Sequence, residues 1–161
     1  MKQELTISNQ QLGEWIDEWQ ESLFRYAFFR LGDRADAEDI VQDAFLKIAS
    51  STSSVQNPKA YLYRVVTNSC INLQRRKSRF QPIEPKIPSQ SSSDEYEARE
   101  EQQRIAQLLG TLPDKQAEVI RLHIHASLKF TEIAEVLEIP VTTVKSRFTS
   151  GIERLKQLFI N

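Results

Sequence analysis

The chain has 161 residues, enough for one medium domain or two small helical ones, and 40% of them are hydrophobic, enough for a core in either arrangement. Four glycines, few β-branched runs and apolar residues recurring at intervals of three and four predict an all-α fold. A formal net charge of -1 excludes the basic surplus of a protein that grips duplex DNA unaided, and a single cysteine, Cys70, excludes an internal disulfide or a cysteine-based zinc site.

Residues 1–6 lack the charged-then-apolar pattern of a signal peptide and no apolar run approaches membrane length, so a cytoplasmic protein without membrane insertion is expected. From about Ser8 to Leu31, the residues Leu12, Trp15, Ile16, Trp19, Leu23, Phe24, Ala27, Phe28 and Leu31 form a broad helical stripe that Gly32 ends. Asp33 caps the next helix, with Asp36 and Glu38 complementing the dipole of its first turn. There Ile40, Val41, Ala44, Phe45 and Ile48 fall on one face, leaving Glu38, Asp39, Gln42, Asp43 and Leu46 together outside. Like charges four apart do not help an isolated helix, so Asp39 and Asp43 are either a solvated face or a surface kept for a partner. No nucleophile, third ligand or phosphate loop accompanies them, and an enzyme is not expected.

Asn57-Pro58 opens a third helix by placing a cap residue before a proline at its first position. Leu62, Val65, Val66, Ser69, Cys70 and Leu73 suit burial, while Tyr61, Arg64, Asn68, Arg75, Arg76, Lys77 and Arg79 line a polar face. The cations of residues 75–79 read either as an answer to the helix C-terminal dipole or as a track for nucleic-acid phosphates beside exposed aromatics. Pro82, Pro85, Pro88 and the serines after them make residues 81–93 a linker between halves 1–80 and 94–161. A fourth helix from Asp94 to Leu109 stops at Gly110, and Pro113 begins a fifth. His123 and His125, two apart on that helix, point to different faces without ligand neighbours, so no metal or cofactor is expected.

Residues 130–137 read as a short helix capped by Thr131, with Ile133, Ala134 and Leu137 on one face. Pro140 interrupts it, and Thr142 or Thr143 caps a last helix whose Val144, Phe148, Ile152, Leu155 and Phe159 form a stripe. The stripe turns Thr142, Thr143, Lys145, Ser146 and Arg147 outward, as in a helix-turn-helix whose second helix enters the major groove. An ordinary helical hairpin with a polar outer face has the same pattern.

The two halves together resemble small extracytoplasmic-function sigma factors of bacterial RNA polymerase. The first half is similar to region 2 through residues 24–27, 31–46 and 61–68, and the second to region 4 through residues 112–120, 131–137 and 139–147. The resemblance implies a non-enzymatic initiation factor that binds core RNA polymerase, directs it to promoters and helps melt the start site. In its terms Asp39, Gln42, Asp43 and Leu46 dock on the β′ clamp helices, the β subunit being a further contact of the core enzyme. Tyr61, Arg64 and Asn68, with the loop before Pro58, hold the non-template strand of the minus-ten element, and Arg75, Arg76, Lys77 and Arg79 follow the backbone. Thr142, Thr143, Lys145, Ser146 and Arg147 read the minus-thirty-five element, with Lys129 on a phosphate. The free factor is expected to be a monomer, and an anti-sigma factor is a partner the sequence leaves open. Thr67, Asn72, Glu138 and the run Phe148-Thr149-Ser150-Gly151 depart from the family pattern. A free-standing helix-turn-helix regulator, or a sigma-like protein that no longer reads DNA, stays open beside this reading.

Overall fold

A computed structural model describes residues 7–51, 55–79 and 93–160, and the expected linker, apart from Ser93, lies outside the described residues. The described residues form seven helices: α1 Asn9–Leu31, α2 Arg34–Ala49, α3 Pro58–Arg79, α4 Ser93–Gly110, α5 Asp114–Ile124, α6 Phe130–Leu137 and α7 Val141–Ile160. Their boundaries follow from local chemistry. The Ser8 hydroxyl accepts from the Gln11 amide at 3.1 Å, the Asp33 carboxylate from the Asp36 amide at 2.9 Å, and the Asn57 carbonyl oxygen from the Ala60 amide at 3.1 Å. Gly32 stops α1 with φ of 74° and donates its amide to the Phe28 carbonyl at 2.8 Å. A side chain there would also meet Gln102, whose amide donates to the Phe29 carbonyl at 3.1 Å and ties α4 to the end of α1.

Three caps differ from expectation. Pro113 precedes α5 as its cap, and its carbonyl accepts from the amides of Gln116 and Ala117, both at 3.0 Å. Helix α6 starts before Thr131. Lys129 is its cap residue, and the Glu132 carboxylate folds back to accept the Lys129 amide at 2.9 Å, so the reciprocal half of a capping box starts the helix. Likewise the Pro140 carbonyl accepts from Thr143 and Val144 at 3.0 and 3.2 Å, which places Thr142 and Thr143 inside the first turn of α7. A proline cap needs no amide of its own, and so displaces the threonines from that role.

Helices α1, α2 and α3 pack mutually, α5, α6 and α7 form the second group, and α3 meets α6 while α1 meets α4 and α5. One continuous apolar cluster runs through both groups, from Leu23, Tyr26, Ile48, Leu62, Tyr63 and Val66 to Val119, Leu122, Leu128, Ile133 and Val144. A smaller one joins Leu109, Leu112, Ala117 and Ile120 to Phe148, Ile152 and Leu155. Phe159, expected on the inner stripe, is 75% exposed, and its neighbours Leu158 and Ile160 are exposed as well.

Gly151 lies where α7 packs tightly on α5. A Cβ there would lie 2.7 Å from Ile120 Cδ1 and 3.5 Å from Gln116 Cβ, and Ile120 is itself buried. The glycine gives up about 1 kcal/mol of helix propensity relative to Ala in exchange for this contact. Gly151→Leu should therefore destabilise the fold by about 1–3 kcal/mol despite its better propensity, read as a lower urea midpoint at unchanged m.

Candidate nucleic-acid interface

At the start of α7, Thr142, Lys145 and Ser146 are exposed, with Thr143 and Arg147 half-buried beside them. Val144 is fully buried, anchoring the turn from which these side chains project. Lys129 is exposed at the start of α6. The preceding turn is fixed by Glu138 at φ 57° and ψ 46°, the left-handed conformation that a glycine would adopt without strain.

The polar face of α3 is not open along its length. Arg64 donates from Nη2 to the Glu135 carbonyl at 2.9 Å and from Nε to the Val136 carbonyl at 3.2 Å, while Nη2 lies 3.4 Å from the Glu138 carboxylate. A guanidinium thus sits on the negative, C-terminal end of the α6 dipole. Lys59 Nζ donates to Glu132 at 2.6 Å, and the Asn57 amide donates to Glu135. Burial raises the Glu132 pKa, but the hydrogen bonds from Lys59 and the Lys129 amide outweigh it and hold the carboxyl below its ordinary value. Asn68 is exposed and, with Arg64, Thr67, Val136, Leu137 and Glu138, lines a cavity of about 230 Å³; Tyr61 is half-buried against the core. Arg75, Arg76, Lys77 and Arg79 are exposed at the far end, where Lys77 pairs with Asp36 at 2.5 Å.

The outer ridge of α2 divides between two grooves. Asp39 and Asp43 face the α2–α3 groove with Arg75, Arg76 and Arg79, whereas Gln42 and Leu46 face the α1–α2 groove with Leu12, Ile16, Phe24 and Phe45. Leu46 is 61% exposed at the rim. The α1 wall of the second groove is absent from the sequence-based surface. Its signal was the width of the α1 stripe: among those residues Leu12, Trp15, Ile16, Trp19, Phe24, Phe28 and Leu31 are only half-buried, more apolar surface than the bundle can cover.

A polar cluster missed by periodicity joins the halves. The buried Glu118 of α5 accepts the Tyr26 hydroxyl at 2.5 Å, pairs with Arg30, and lies 3.3 Å from Arg121. Burial raises the Tyr26 pKa, and burial together with neighbouring Arg30 lowers that of Arg121. Nearby, His125 stacks on Phe29 of α1 with ring centroids 4.3 Å apart and planes 1° from parallel. Burial also pushes the Cys70 thiol up to about 12, consistent with a packing role.

Residues 15–80 match the family model of sigma-70 region 2, and residues 102–155 match that of sigma-70 region 4. The chain is 30% identical to the extracytoplasmic-function sigma factor SigW of Bacillus subtilis, covering 88% of this chain and 85% of that protein. It belongs to the extracytoplasmic-function group of sigma-70 factors. SigL of Mycobacterium tuberculosis is 31% identical over 87% of this chain and 84% of its own. Two solved structures share the fold. CnrH in complex with the cytosolic domain of CnrY has a TM-score of 0.73 at 24% identity, covering 94% of this chain and 89% of that one. The sigma factor RpoE in complex with the anti-sigma factor NepR from Bartonella quintana has a TM-score of 0.65 at 21% identity, covering 93% and 97%. As a sigma factor the protein functions in transcription initiation.

His125 gives this arrangement a pH signature. Burial, then the charges of Arg121 and Arg25, lower its pKa from 6.5 to about 4. Between those values the unfolded chain binds a proton that the folded chain refuses, so the contribution of His125 is full above pH 6.5 and is lost as the pH falls toward 4. The thermal midpoint of His125→Phe, which keeps a ring on Phe29, should fall less than that of wild type between pH 7 and pH 4.5.

Proposed function

We propose that this sigma factor binds core RNA polymerase through the outer ridge of α2 and the α1–α2 groove, and engages promoter DNA with two separate surfaces. Residues 1–80 are the unit that meets polymerase and the minus-ten element, residues 81–93 the linker, and residues 94–161 the unit that meets the minus-thirty-five element. Asp39, Asp43, Gln42 and Leu46 dock on the polymerase β′ subunit. The observation that carries this assignment is the half-apolar α1–α2 groove rimmed by the exposed Leu46, with the exposed carboxylates of Asp39 and Asp43 on the other side of the same α2 ridge, the composition of a protein interface and not of a nucleic-acid one. Asp39→Lys with Asp43→Lys should weaken holoenzyme assembly at least tenfold, measured by titrating labelled factor with core enzyme. Wild-type affinity would remove α2 from the interface.

Thr142, Thr143, Lys145, Ser146 and Arg147, with Lys129 at the neighbouring cap, contact the upstream element in the major groove, supported by their common position at the start of α7. Tyr61, Arg64 and Asn68 hold the displaced strand during melting, and Arg75, Arg76, Lys77 and Arg79 run along its backbone. The factor performs no chemistry of its own, acts in the cytoplasm on the chromosome, and needs no surplus charge because polymerase supplies much of the DNA affinity. The relatives in complex with CnrY and NepR support an anti-sigma protein as a further partner. Lys145→Ala with Arg147→Ala should leave core-enzyme binding within about twofold and lower promoter-specific initiation at least tenfold in run-off transcription, since each lost base or phosphate contact is worth about 1–3 kcal/mol. Undiminished initiation would take the start of α7 out of the recognition surface.

A further inference from the structure

Glu132, Glu135 and Glu138 follow one another at intervals of three along α6 and the turn that ends it. Each meets a group at the start of α3: Glu132 takes Lys59, Glu135 takes Asn57, and Glu138 lies against Arg64. Arg64 also takes the last carbonyls of α6. Carboxylates spaced about 4.5 Å apart along a helix axis, ending in the negative pole of that helix, offer cations what a nucleic-acid backbone offers: a row of anionic oxygens. Ile133 and Val136 lie between the acids and are buried in the shared apolar cluster, which fixes the row in register with α3. The start of α7 is not covered by this contact, and Thr142, Lys145 and Ser146 stay exposed.

We propose that the acidic edge of α6 is an intramolecular stand-in for the DNA strand, which covers the start of the strand-holding face of α3 in the closed molecule while leaving the recognition helix free. This rests on the assignment of α3 to single-strand binding. Promoter strand and α6 compete for Arg64, while the Lys59–Glu132 pair holds α6 against the start of α3, so a single strand binds only when the seam opens. Free factor is thereby kept from unpaired DNA, and the two DNA-binding surfaces become available in sequence.

The test compares two full-length triple variants of equal net charge for binding a fluorescein-labelled oligo(dT) of about 20 nucleotides by anisotropy at low salt. One carries Glu132→Gln, Glu135→Gln and Glu138→Gln; the other carries Glu14→Gln, Glu18→Gln and Glu153→Gln, exposed acids on α1 and α7. The seam variant is expected to bind at least fivefold tighter than the charge-matched control, and Arg64→Ala in the seam variant is expected to abolish the gain. Equal binding by the two variants, with Arg64→Ala weakening both alike, overturns the masking while leaving α3 a strand-binding surface. Equal binding that Arg64→Ala does not change overturns the assignment of α3 and the proposal with it. Should the seam variant fail to fold by circular dichroism, Asn57→Cys with Glu135→Cys, joined by a short bismaleimide, replaces it. The cross-linked protein must then bind oligo(dT) more weakly than the unlinked one, and equal affinity overturns the proposal. Co-elution with core RNA polymerase reports on the sigma-factor reading separately.

Discussion

A single buried carboxylate holds the two groups of helices in one arrangement. Glu118, on α5, draws together Tyr26 and Arg30 of α1 and Arg121 of its own helix, so one acid is shared by two guanidinium groups that lose most of their water. Opposite charges buried at this depth gain little over a well-packed apolar contact. Removing one member, however, leaves a charge without compensation at a cost of about 3–5 kcal/mol. The cluster therefore contributes geometry more than stability, because its hydrogen bonds are satisfied only with α5 at one height along α1. With α5 set, the His125 ring falls on Phe29 and α6 falls on the start of α3.

The formal net charge of -1 counts every charged side chain, whether or not the fold leaves it open. Six of its 21 Lys and Arg residues are committed within the chain: Arg30 and Arg121 to Glu118, Lys59 to Glu132, Arg64 to the end of α6, Lys77 to Asp36, and Arg34 to Glu38 and Glu95. Several of these pairs are exposed and contribute little stability, so exchanging them for contacts to phosphate costs little. On α3, accordingly, Arg64 is committed while Arg75, Arg76 and Arg79 stay exposed.

Local signals in the sequence were enough for most of the fold. Asp33 and Asn57-Pro58 cap where their side-chain oxygens and the missing proline amide dictate, and the stripe Ile40, Val41, Ala44, Phe45 and Ile48 is buried as its spacing requires. Failures have a common cause. Tyr26 and Glu118 stand 92 residues apart, and neither fits an apolar stripe, so their pairing follows only from the way α5 crosses α1. Gly151 looks like a weak point of α7 until Ile120 is beside it. For the candidate site, the exposed residues of α2 and α7 were legible as polar faces of amphipathic helices. The closure of α6 over Arg64 was not, because a cation on the open face of one helix gives no sign of the carbonyls that another helix will bring to it.

The turn between α6 and α7 shows how such constraints reinforce one another. Glu138 occupies a left-handed conformation that costs a non-glycine residue roughly 1–2 kcal/mol, and glycine would avoid the cost. Glycine would also remove the carboxylate that faces Arg64. The turn is held without help from that side chain: the Glu138 and Ile139 amides both donate to the Ala134 carbonyl, and Pro140 supplies the cap for α7. Backbone hydrogen bonds thus carry the geometry of the helix-turn-helix and leave residue 138 free to bear a charge. The strain stays at the turn, while its electrostatic consequence falls on α3, where Arg64 is drawn away from solvent and toward the helix that covers it.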